Sequence, residues 1–111
     1  MIVDVLGADY NIKVVKAKEM FDADNYGECD RYARVIKINK DAFKGDDLTA
    51  DLDACIYKII RHELIHAVFH EAGLDCYAED ETLVDVLANI HWKMDKLFSY
   101  EYDDLLEEIK E

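Results

Sequence analysis

A chain of 111 residues has the length of one domain, and with 51% apolar residues it can fill one core but not a thick multilayer fold. Asp and Glu number 26 against 13 Lys and Arg, and the resulting net charge of −13 repels phosphate backbones and excludes the basic footprint of a nucleic-acid binder. Cys29, Cys55 and Cys76 are odd in number and form no C-x-x-C pair, which argues against a disulfide framework and against a cysteine zinc ribbon.

Four glycines and no proline leave no linker or low-complexity tract, so residues 1–111 are expected to form one domain. The first residues, Met1-Ile-Val-Asp-Val-Leu, carry no basic region and meet Asp4 early, so they read as a strand and not as a signal peptide. No apolar run reaches membrane-spanning length. A reducing, cytoplasmic setting without membrane or nucleic-acid partners is the expectation.

In chain order, Ile2 to Leu6 is rich in β-formers, Gly7-Ala8-Asp9 is a turn candidate, and Tyr10 to Val15 resumes the strand signal. Asp22-Ala23-Asp24-Asn25 carries turn chemistry. Tyr26 to Asp30 and Val35 to Asn39 form a second candidate hairpin, the latter alternating apolar and polar. The period then changes. Leu52, Cys55, Ile56, Ile59, Ile60, Leu64, Ala67 and Val68 recur at helical spacing, with Thr49 or Asp51 as cap and Gly73 as stop. A second helix is expected from about Asp80, carrying Leu83, Val84, Leu87, Ile90, His91, Met94, Leu97 and Phe98 on one face. Tyr102 to Lys110 predicts a short acidic helix with Leu105, Leu106 and Ile109. Strands first and helices after describe an α+β layout, with helices packed on a small antiparallel sheet.

The chemistry is carried by His62-Glu63-Leu64-Ile65-His66, an HExxH sequence. Two histidines four apart leave one face of a helix, one turn above the other, so both imidazoles can reach a single ion. Glu63 points at the same pocket without ligating and can take a proton from water there. Zinc suits such a site, which needs a third protein ligand. Glu81, at the start of the second helix, is the best candidate. Asp85 is the next, or an acceptor that orients a ligating histidine. His70 lies about 12 Å along the helix axis from His62, too far to share its ion, and reads as a rim residue. His91 reads as packed. Tyr77 and Cys76, between the helices, have weaker claims on the site.

On these residues the chain resembles the ImmA/IrrE-type metallopeptidases, especially the short members encoded by phages and mobile elements. The resemblance rests on HExxH at 62–66, preceded by Tyr-Gly-Glu-Cys-Asp and Val-Ile-Lys-Ile-Asn and followed by Glu81-Thr-Leu-Val-Asp-Val-Leu-Ala-Asn. Asp85 stands where many relatives carry Asn. SprT-like proteins are a second, weaker resemblance, without the cysteine ribbon. The first resemblance implies a minimal zincin-like fold, zinc on His62, His66 and Glu81, and Glu63 activating water to hydrolyse peptide bonds. Larger relatives cleave or inactivate partner repressors, so the implied partner is a protein or peptide substrate, a transcriptional repressor among the candidates. The rival reading is a zinc-binding interaction module that acts by holding a partner with little or no turnover.

Overall fold

The computed structural model describes residues 1–44, 51–99, 101 and 103–111, the side chain of Trp92 excepted. Strands β1 (Ile2–Val5) and β2 (Ala8–Val15) form one hairpin. Strands β3 (Gly27–Asp30) and β4 (Val35–Asn39) form another. Helices α1 (Leu52–Glu71), α2 (Asp75–Ala78), α3 (Glu81–Phe98) and α4 (Asp103–Lys110) follow, so the class is α+β, as the change of period predicts.

The sheet is mixed, which corrects the expected antiparallel one. Its order is β1-β2-β4-β3, and β2 pairs with β4 in parallel from Asn11↔Val35 to Val15↔Asn39. After β2 the chain passes through a 3-10 turn at Ala17–Glu19 and descends first along the outer strand β3. Only then does it return as β4 in the gap beside β2. Each hairpin is local and legible in sequence, whereas the parallel seam between them joins separate hairpins and is not. The consequence for function is that β3 is an edge strand.

The first turn also differs from expectation. Val5 pairs with Ala8, so the loop is only Leu6-Gly7, both at positive φ (52° and 91°), and Asp4 Oδ1 accepts from the Gly7 amide at 2.6 Å. This is the geometry of a type I′ turn, which favours Asn-Gly. A leucine held in the left-handed region is strained by roughly 1–2 kcal/mol. Leu6→Asn is therefore expected to stabilise the chain by about 1 kcal/mol and to raise Tm by roughly 4 °C in a thermal melt.

Val5, Tyr10, Ile36, Ile38 and Ala67 form the buried core, with Ile59, Ile60, Leu64 and Val68 of α1 packed against it. The Tyr10 hydroxyl, inside this core, donates to Glu71 Oε1 at 2.8 Å, and Arg34 Nε donates to the same oxygen at 3.1 Å. These two bonds tie the last turn of α1 to both hairpins. They also hold the Glu71 carboxyl below its usual range, Arg34 contributing most. α3 packs on α1 through the buried Val84 and Ala88, and Arg61 Nε donates to the Ala88 carbonyl at 2.9 Å. Helix α1 thus has the sheet on one side and α3 on another.

The helix ends follow local chemistry. Asp51 caps α1 by accepting from the Ala54 amide at 3.0 Å, while Thr49, the other candidate, lies outside the described residues. Gly73 at φ 75° closes α1 with bonds from its own amide to His70 O and from the Leu74 amide to Phe69 O, a Schellman ending. Asp80 caps α3 through the Leu83 amide. The short helix α2 between them was not expected. The acidic helix begins at Asp103, with Tyr102 outside the described residues.

Candidate metal centre

Helix α1 delivers His62, Glu63 and His66, and the first residue of α3 delivers Glu81. Helix α2 and the Asp80 cap set where α3 begins, and that start point puts Glu81 against the histidines. His62 Nε2 lies 2.9 Å from Glu81 Oε2, His66 Nε2 lies 3.1 Å from Glu81 Oε1, and the two Nε2 atoms lie 3.2 Å apart. One donor atom from each residue falls within 4.8 Å of the others, the one such group of three among the described residues. Two ligand atoms each about 2.0–2.1 Å from a tetrahedral ion sit roughly 3.3 Å from one another, close to these separations. Two imidazoles and a carboxylate are also the donor types that zinc accepts, so the residues present fit the ion.

The supports behind the donors differ. Burial pushes the pKa of His66 down, which favours the neutral ring that a ligand needs. His62 Nδ1 faces Asp85 Oδ1 at 3.6 Å, and Lys58 Nζ approaches the same oxygen at 3.6 Å. Asp85 therefore stands behind His62 and outside the three-donor group, while Glu81 stands within it. Of the two candidates for third donor, the geometry assembles Glu81.

Glu63 is buried, with 5% of its surface exposed, although it is a carboxylate. Burial pushes its pKa up to about 8, and the negative charges of Glu81 and Glu28 push the same way. The side chain lies against Gly27 of the edge strand. A methyl group on Gly27 would come within 2.9 Å of Glu63 Cγ, 3.1 Å of Ile59 Cγ2 and 3.2 Å of Glu63 Oε2. The position of Gly27 depends in turn on Asn39, fully buried at the end of β4. Its amide donates to the carbonyls of Ala23 and Asn25, and its oxygen accepts from the Asp41 amide. Sequence reasoning overlooked both residues. Tyr-Gly-Glu at the start of a strand was the available signal, since a strand glycine often marks a close approach.

A cleft of about 1100 Å³ runs beside β3, and a smaller cavity of about 370 Å³ adjoins it. Both are lined by Gly27, Glu63, His66 and Glu81, so two of the three donors lie where the two meet, while His62 lines the smaller one. At the rim of the larger cleft, His70 Nδ1 lies 2.9 Å from Asp75 Oδ1, and Arg31 Nη1 pairs with that same oxygen at 2.8 Å. His70 is thus engaged away from the donors. Tyr77 stacks loosely with Phe69 (centroids 6.2 Å apart), Cys76 is exposed, and the Nδ1 atom of His91 is buried within the helical layer. None of the three joins the cluster. Cys29 lines the cleft, but burial and then the Glu63 charge push its thiol up to about 12, so it is no nucleophile at neutral pH.

Comparison with family models, curated proteins and solved structures gives no match for the chain. Among the described residues, no helix is long and apolar enough to cross a membrane.

Proposed function

We propose that the chain is a zinc-dependent peptidase of the HExxH type, working in the cytoplasm on a protein or peptide substrate. The observation that carries the reading is the convergence of His62, His66 and Glu81 donors within 4.8 Å, beside the buried Glu63 carboxylate. A structural zinc is usually closed by four protein ligands, and three donors facing a cleft leave a position for substrate and water.

Bound by these three residues, zinc supplies Lewis acidity that polarises a peptide carbonyl and acidifies water. The residues do the rest. Glu63 accepts a proton from water as the water oxygen bonds to the carbonyl carbon. It then returns that proton to the amide nitrogen as the C–N bond breaks. Burial suits it to the task, because a desolvated carboxylate is a stronger base than one in water. The edge of β3, beside Gly27, offers unpaired backbone groups to an extended peptide, which would place its carbonyl above the cluster. A transcriptional repressor is among the substrates that the ImmA/IrrE resemblance suggests.

Elemental analysis of the purified protein tests the reading at its base. The wild type is expected to hold about one zinc per chain, and His66→Ala and Glu81→Ala to lose it or to bind at least roughly 100-fold more weakly. No zinc in the wild type, and no uptake when it is supplied, would leave the histidines structural. Stoichiometric zinc without hydrolysis of any peptide would favour the interaction module.

A further inference from the structure

The surface from Phe98 to Glu111 takes no part in the candidate metal centre. Every described residue in it is exposed, and α4 has no buried residue. At 100° per residue, Leu105, Leu106 and Ile109 share an arc of roughly 100° along α4, and the charged residues take the remainder. Phe98 adds an aromatic ring at the end of α3. These four side chains are 49% to 80% exposed: Phe98 75%, Leu105 54%, Leu106 49% and Ile109 80%. The face that the sequence assigns to α3 is buried at Val84 but not at Phe98, so its apolar character continues past the end of the core. Eight residues are also fewer than the roughly 12–15 at which an isolated helix becomes even marginal in water. Cover on its apolar arc is what would hold α4 as a helix.

Charge identifies the cover. Between Glu101 and Glu111 six carboxylates stand against Lys110 alone, a net −5 out of −13 for the chain. A second copy of the same surface would bring two such rims together, and like charges juxtaposed at an interface are costly. We propose that α4 is a docking face for a basic amphipathic helix of a partner protein. The partner's apolar stripe would lie on Leu105, Leu106 and Ile109, and its lysines or arginines would meet the carboxylates on either side. A patch this small lies at the low end of interface sizes, so the contact is expected to be micromolar, fast and salt-sensitive. The inference does not depend on zinc or on hydrolysis.

The test uses the full chain and two synthetic peptides of identical leucine and lysine composition. One segregates its leucines on a single helical face, and the other interleaves them. By fluorescence anisotropy the segregated peptide is expected to bind in the micromolar range, about tenfold or more tighter than its interleaved control. Leu105→Ser with Ile109→Ser keeps the charge and alters only exposed positions, so Tm should hold while the preference for the segregated peptide disappears. Equal binding of both peptides, equal binding by both proteins, or no binding at all would overturn the proposal. So would a wild-type dimer at about 100 µM that the serine pair dissolves, since the face would then belong to a second copy.

Discussion

Glu63→Gln is expected to bind zinc as the wild type does and to lose peptide hydrolysis by roughly 10²- to 10⁴-fold. Gln has almost the same shape as Glu, so His62 and His66 on either side of it should keep their places on α1. What is lost is the proton acceptor. A neutral amide also escapes the cost of burying a charge, or of taking up a proton to avoid one, where only 5% of the residue's surface reaches water, so Tm should stay level or rise. Zinc content, Tm and turnover of an unfolded protein such as casein separate the outcomes. Normal zinc with full turnover would remove Glu63 from the mechanism. Lost zinc would mean that Glu63 supports the donors themselves.

The second large effect is expected at a residue with no side chain. Gly27→Ala would put a methyl group 2.9 Å from Glu63 Cγ and 3.1 Å from Ile59 Cγ2, closer than carbon atoms pack. Either the carboxylate swings away or β3 lifts from α1. Overpacking of this kind costs about 1–3 kcal/mol, and displacement of a catalytic group by about 1 Å can cost a further 10²-fold in rate. Because the three atoms nearest that methyl group belong to Glu63 and Ile59 and not to a donor residue, zinc binding should fall much less than turnover. Stoichiometric zinc together with a turnover loss of roughly 100-fold would support this account. An alanine variant as active and as stable as wild type would show that the strand relaxes without disturbing Glu63.

The two predictions differ in how they could be found. Glu63 stands in a five-residue pattern that is legible from spacing alone, because His62 and His66, at i and i+4 on a helix, share a face whatever surrounds them. Gly27 is 36 positions earlier and has no fixed spacing to the motif. It acquires a role only when β3 becomes the edge of the sheet and α1 lies against it. Asn39 is similar: two of its three side-chain hydrogen bonds reach Ala23 and Asn25, in a segment that the sequence shows only as turn chemistry.

Local rules were thus enough for the four strands, the extent of α1, the Gly73 ending, the Asp80 start of α3 and the placing of His62 and His66 on one face of α1. Each depends on residues within a few positions, where period, capping and turn chemistry act directly. Tertiary structure decided the rest. It made the β2–β4 seam parallel, because strand order depends on which hairpin fills the gap beside the other. It placed Glu81 within the donor group and Asp85 behind His62, a choice between neighbours on one helix that depends on where α2 lets α3 begin. It also left the apolar arc of α4 in water, since the period that marks a helix face as apolar does not say which surface will cover it.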